Sequence, residues 1–197
     1  MKIVAVTQRV INYKLRNEIR DQLDQRLVSF LLVSGFVPVP VPNIINEDLK
    51  NWLQAVNPKC IVLSGGNDIN EHEGRDQTEK TLLEQAELNN LPVLGICRGM
   101  QMMGIWAGVN LKPVKNHVRN RHRIMGKITG EVNSYHAFSI DECPKDFKVL
   151  ARSEDGEIEA IRHRYLYWEG WMWHPEREKK FCSRDINQIK NLFNNED

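Results

Sequence analysis

One cysteine of this chain stands between two glycines at a spacing that suits a nucleophile, in Gly95-Ile96-Cys97-Arg98-Gly99. The apolar run Leu91-Pro92-Val93-Leu94 before it reads as a buried strand, and Met100 to Trp106 after it reads as a helix. A sharp strand-to-helix turn forces its central residue into an unusual backbone conformation. It also leaves no room for side chains two positions to either side. Such a turn lifts the sulfur clear of the sheet at a helix N-terminus, whose partial positive charge suits a sulfur anion. The alternative is a small buried hydrophobe, the common fate of free cysteine, and it leaves both glycines unexplained. The chemistry implied is covalent: a thiol attacks a carbonyl carbon and carries the acyl group as a thioester.

A thiol that cleaves an amide needs a group to accept a proton and then return it to the leaving nitrogen, which suits histidine near neutral pH. The candidates are His72, His117, His122, His136, His163 and His174. His174 stands out because it lies in Trp173-His174-Pro175-Glu176. Pro175 pushes His174 toward extended backbone, where Glu176 two residues on points the same way and can hold the imidazole tautomer. The competing reading is an exposed ion pair at a strand end. Ser64-Gly65-Gly66-Asn67-Asp68 follows the apolar run Cys60 to Leu63. N–H groups of Gly65 and Gly66 could join that of Arg98 around an oxyanion, or the segment is a simple tight turn.

These groups need elements to carry them. Ile3 to Val6, Cys60 to Leu63 and Leu91 to Leu94 read as buried strands, and Phe36 to Val41, with its prolines, as an edge strand. Leu15 to Gly35, Asp48 to Ala55, Gln77 to Asn90 and Ser183 to Phe193 read as helices. Alternation of strand and helix implies an α/β fold, a mostly parallel central sheet covered on both faces. Beyond Asn110 the pieces shorten, and Glu157 to Trp173 reads as a small antiparallel addition. Reactive groups in such sheets gather beyond the carboxyl ends of the strands. Residues 1–197 are expected to form one domain.

The charge balance, 27 Lys+Arg against 26 Asp+Glu, gives no global field to attract nucleic acid or an anionic membrane. No run approaches the length of a membrane span, and the first residues carry too short an apolar stretch for a signal peptide. Four cysteines without CxxC spacing suggest reduced thiols in the cytoplasm. Locally the balance breaks: from Lys112 to Lys127 there are eight basic or histidine side chains and no acid. Read as a basic loop near the mouth of the site, with Arg119, Arg121 and Arg123 forking onto phosphate oxygens, it implies an anionic leaving group such as a nucleoside diphosphate. A solvated loop or a partner surface would look the same.

Gly95-Ile-Cys-Arg-Gly-Met-Gln101, the Ser64-Gly-Gly-Asn-Asp turn and Trp173-His-Pro-Glu176 together resemble class I glutamine amidotransferases, with their flavodoxin-like three-layer fold. Arg75-Asp76-Gln-Thr-Glu79 and Asn133-Ser134-Tyr135-His136 are similar to the branch of free-standing γ-glutamyl hydrolases. The resemblance implies a triad of Cys97, His174 and Glu176, and an oxyanion hole from Gly65 or Gly66 with Arg98. It also implies recognition of a γ-glutamyl group by Gln101 and the Asn133, Ser134 and Tyr135 backbone. No metal or organic cofactor is called for. Read from the residues alone, Arg75, Asp76 and Glu79 could equally be a solvated first helical turn, and His136 a core histidine. Three functions follow: a γ-glutamyl hydrolase, a glutaminase subunit feeding ammonia to a separate synthase, or a non-catalytic thiol sensor.

Overall fold

The computed structural model describes residues 1–43 and 47–195. Its strands are β1 (Lys2–Val6), β2 (Arg9–Tyr13), β3 (Glu18–Gln22), β4 (Phe36–Pro40), β5 (Cys60–Leu63), β6 (Val93–Ile96), β7 (Leu111–Pro113), β8 (Val118–Gly126), β9 (Gly130–Tyr135), β10 (Phe138–Ile140), β11 (Phe147–Ser153), β12 (Ile158–His163) and β13 (Trp168–Trp171). The helices are α1 (Gln25–Val33), α2 (Glu47–Val56), α3 (Glu73–Leu88), α4 (Arg98–Trp106) and α5 (Ser183–Asn194). A nine-stranded sheet runs in the order β4-β1-β5-β6-β13-β12-β11-β8-β9. From β4 to β13 its neighbours pair in parallel, and from β13 to β9 they pair antiparallel. β10 with β7 and β2 with β3 form separate two-stranded ribbons.

Two apolar clusters cover the faces of this sheet. On one, Leu27, Phe30 and Leu31 of α1 and Ile189, Leu192 and Phe193 of α5 pack on Val4, Val6, Val62 and Ile96. On the other, Leu82 and Leu83 of α3 and Met100 and Met103 of α4 pack on Ile61, Leu63 and Val93. Side chains such as Phe30 and Leu83 are wholly buried, each stabilising the fold by roughly 1.5–3 kcal/mol. The three-layer α/β expectation holds. The prolines of β4 lie on the sheet's outer edge, where no further ladder bond is asked of them.

Two local expectations are corrected. The helix read from Leu15 to Gly35 begins only at Gln25, where the Asp24 carboxylate accepts the Arg26 N–H at 2.8 Å. Ahead of it β2 and β3 form a ribbon that leaves Leu15 and Ile19 exposed, so the apolar spacing there was not a buried helical face. The basic segment read as a loop is mostly β8. His122 and Ile124 pair with Val132 and Gly130 on one face, whereas Arg121 and Arg123 pair with Asn133 and Glu131 on the other. Alternation on a half-solvated antiparallel strand, not loop composition, explains its charge.

Candidate active site

Cys97 caps α4 with φ 51° and ψ −103°, left-handed backbone that a side chain adopts only under constraint. The constraint is visible. Its N–H donates to the Trp171 carbonyl at 2.6 Å and its carbonyl accepts from Gln101 at 3.1 Å. A Cβ on Gly95 would stand 2.6 Å from the Gly99 backbone, and one on Gly99 would overlap the Leu63 carbonyl. Gly170 completes the seam, since a Cβ there would meet Met100 at 2.6 Å. Three glycines thus let α4 lie directly on β5, β6 and β13 and hold the sulfur at the sheet's carboxyl edge.

His174 follows β13 in extended backbone, φ −105° and ψ 94°. Pro175 to Arg177 then forms a single 3₁₀ turn, so Glu176 reaches the ring by a turn and not along an extended chain. Its Oε1 lies 2.6 Å from His174 Nδ1. The imidazole is 2% exposed and turns its Cε1 edge toward Gly65, where a Cβ would meet Cε1 at 2.6 Å. Burial works against a charged ring, but the charges of Glu176 and Cys97 outweigh it and raise His174 to about 9. The ring is therefore poised as an imidazolium between a carboxylate and the sulfur.

Asn133 fastens this histidine by its backbone. Its Oδ1 accepts the His174 N–H at 3.0 Å and its Nδ2 donates to the His174 carbonyl at 2.8 Å. The resemblance implies a substrate role for the Asn133 backbone; its side chain is spent on positioning His174. Ser134 is likewise turned inward, its hydroxyl donating to the His117 carbonyl at 2.7 Å. Tyr135 is exposed, with its ring edge-on to His174 at 5.8 Å and the Arg177 guanidinium 4.6 Å above it. Gln101 donates to the Phe138 carbonyl at 2.8 Å, and both border a cleft of about 660 Å³. That cleft extends along Asp68, Ile69 and Asn70; a much smaller recess of about 70 Å³ follows Gly65, Gly66, His174 and Glu176.

The segment Arg75-Asp76-Gln-Thr-Glu79 is not a solvated turn. Arg75 and Glu79 are wholly buried and Asp76 nearly so. Glu79 pairs with Arg75 at 3.1 Å and with Arg98, Arg98 pairs with Asp76, and Thr7 donates to Glu79 at 2.8 Å. Two cations and two anions balance, as burial requires. Burial opposes ionisation of Glu79, but Arg98 and Arg75 still hold it below its ordinary value. Arg75 also donates to the carbonyls of Ser64 at 2.8 Å, Gly65 at 3.1 Å and Gly66. In a trans peptide the N–H points opposite to the C=O. Gripping three successive carbonyls therefore turns the N–H groups of Gly65 and Gly66 away from Arg75, and neither finds an acceptor among the described residues. The Arg98 N–H, first in α4, has no intrahelical acceptor either. The spacing of Arg75 from Ser64 carried no signal of this, because the contact depends on how α3 docks.

The three arginines of β8 are exposed. Arg121 is already paired, with Glu131 at 2.6 Å and Glu178 at 3.0 Å. No ion pair involves Arg119 or Arg123 among the described residues.

The chain matches the class-I glutamine amidotransferase family over residues 16–188. It belongs to that family. It is 32% identical over 199 residues to the gamma-glutamyl-CDP-amidate hydrolase of Campylobacter jejuni subsp. jejuni serotype O:2, the match covering 96% of each chain. It is 27% identical over 187 residues to a glutamine-hydrolysing GMP synthase subunit of Methanothrix thermoacetophila, covering 89% of each. Among solved structures, PurLQS from Thermotoga maritima shares the fold with a TM-score of 0.70 at 17% identity, over 99% of both chains. No helix of the described residues is long and apolar enough to cross a membrane.

Proposed function

We propose that this protein hydrolyses a γ-glutamyl amide through a thioester on Cys97. The sulfur attacks the γ-carbonyl carbon, and N–H groups of Arg98 and the Gly65-Gly66 turn receive the oxyanion. Removing one such donor typically costs about 3–4 kcal/mol of barrier. His174 gives its proton to the departing nitrogen as the C–N bond breaks. It then takes a proton from the water that hydrolyses the thioester, releasing glutamate and restoring the thiolate beside the imidazolium. Glu176 steadies the ring whenever it is charged. The observation that carries this reading is the forced backbone at Cys97 facing an imidazole raised to about 9 with a carboxylate behind it.

For the leaving group we propose a nucleoside diphosphate carrying the nitrogen, as in a γ-glutamyl-CDP-amidate, giving cytidine diphosphoramidate for modification of a capsular polysaccharide. The 32% identity to the Campylobacter jejuni hydrolase supports it, as do Arg119 and Arg123 left exposed on β8. A screen of glutamine, γ-glutamyl amines and γ-glutamyl nucleoside phosphoramidates, reading free glutamate, tests the proposal. The nucleotide substrate should show the highest kcat/KM, and replacing Arg119, Arg121 and Arg123 together should raise its KM. Preference for γ-glutamyl amines, or an unchanged KM, overturns this assignment.

A second reading rests on the GMP synthase components found among the relatives: a glutaminase that supplies ammonia to a separate synthase. Glutamine hydrolysis that is slow alone and rises many-fold with a synthase partner would favour it over the first.

A further inference from the structure

Away from Cys97, four side chains converge inside the antiparallel half of the sheet. His117 precedes β8, His122 lies on it, His136 links β9 to β10, and Glu159 lies on β12. Glu159 Oε1 stands 3.3 Å from His117 Nδ1, 3.4 Å from His136 Nε2 and 3.4 Å from His122 Nε2. His117 Nδ1 and His136 Nε2 are 3.2 Å apart. His117, His136 and Glu159 are buried, Glu159 completely. Yet neither Glu159 oxygen, nor His122 Nε2, has a partner in hydrogen-bond geometry among the described residues.

The protons on the outer nitrogens sharpen the anomaly. His117 Nε2 lies 3.0 Å from Asp155 Oδ2, and His136 Nδ1 lies 3.0 Å from the Phe138 carbonyl. Carboxylate and carbonyl only accept, so both of those nitrogens carry hydrogen. In the neutral rings His117 Nδ1 and His136 Nε2 then present lone pairs to each other and to a buried carboxylate. Three donors of electron pairs then converge on one point.

We infer that His117 Nδ1, His136 Nε2 and Glu159 Oε1 form a three-ligand binding site for a divalent transition metal ion of the zinc class. Ligands at about 2.0–2.1 Å from zinc lie about 3.3–3.4 Å from one another in a tetrahedron, which matches the measured separations. Imidazole-rich donors favour zinc and its neighbours over magnesium or calcium. Asp155 and the Phe138 carbonyl behind the two rings are the outer partners that metal-binding histidines ordinarily keep.

The ion would act as a pin. His136 adjoins Tyr135, which faces His174, and Phe138, whose carbonyl also receives Gln101. It would join β8, β12 and the β9–β10 link beneath the substrate side of the site, without touching Cys97.

The test uses the full chain, stripped with a chelator, dialysed and given zinc chloride alone. After gel filtration, elemental analysis should find about one zinc per chain, and Tm should rise on loading. Cys97→Ala should keep that stoichiometry, whereas His136→Ala and Glu159→Gln should lose most of it. Should those variants fail to fold, the wild-type protein loaded with cobalt(II) decides. Tetrahedral d–d bands without a sulfur-to-metal charge-transfer band support the site. No retained zinc in the wild type, zinc lost in Cys97→Ala, or a sulfur band on cobalt would each overturn it.

Discussion

The two halves of the sheet position their reactive groups by different means. In the parallel half the backbone does the work: Cys97 is held at φ 51° by glycine contacts on β5, β6 and β13. In the antiparallel half side chains from separated strands converge instead, Asn133 fastening His174 and Glu159 standing among three histidines. Backbone devices are local and leave glycines in fixed places. Side-chain devices depend on pairing between distant segments and leave little local trace.

The largest effect expected is on turnover in the parallel half. Cys97→Ala should lower kcat by about 10⁴-fold or more, the scale at which removing a covalent nucleophile acts, while gel filtration and circular dichroism stay native. Loss of only a few-fold would place the chemistry elsewhere. Arg75→Met comes next. It leaves Arg98 as the one cation among the described residues against buried Glu79 and Asp76 and frees the Ser64, Gly65 and Gly66 carbonyls, so urea unfolding should show a loss of about 3–5 kcal/mol. Near-native stability together with full activity would mean that Arg75 does not hold the turn.

Strain gives a smaller and more diagnostic effect. Glycine usually destabilises relative to alanine, but at a left-handed position the sign reverses. Cys97→Gly should be more stable than Cys97→Ala by about 1–2 kcal/mol, measured by urea titration of both inactive variants. The opposite order would show an unforced turn.

His174 couples the halves and supplies a pH signature. Its folded value, about 9, exceeds its ordinary 6.5, so its contribution to stability is complete below pH 6.5 and is lost as pH rises through about 9. Glu176→Gln removes the foremost charge that raises it and should flatten that decline in urea unfolding followed from pH 6 to 10. An undiminished decline in the variant would separate Glu176 from the ring's charge. The smallest effect belongs to the exposed Arg121 pairs: Arg121→Ala should change stability by under about 1 kcal/mol. A larger loss would mean that β8 leans on its ion pairs.

The same contrast explains how much could be read in advance. The elbow, the glycine turn and the His-Pro-Glu segment were legible because each is a few contiguous residues with one stereochemical purpose. The layered α/β architecture followed from alternating apolar runs. The β2–β3 ribbon was hidden because Ile19, Leu23 and Leu27 happen to fall at helical spacing, although the first is exposed. β8 was hidden because arginines alternating with Asn120 and His122 mimic a polar loop until the partner strand is known. The roles of Arg75 and Asn133, and the histidines around Glu159, arise only when segments tens of residues apart are docked.

The measurement that bears most directly on the proposed chemistry is an acid-quenched single turnover with a γ-glutamyl substrate, followed by peptide mapping by mass spectrometry. A glutamyl adduct on the peptide bearing Cys97, absent from Cys97→Ala, is the expected result. An adduct on another residue, or glutamate release by Cys97→Ala at the wild-type rate, would contradict it.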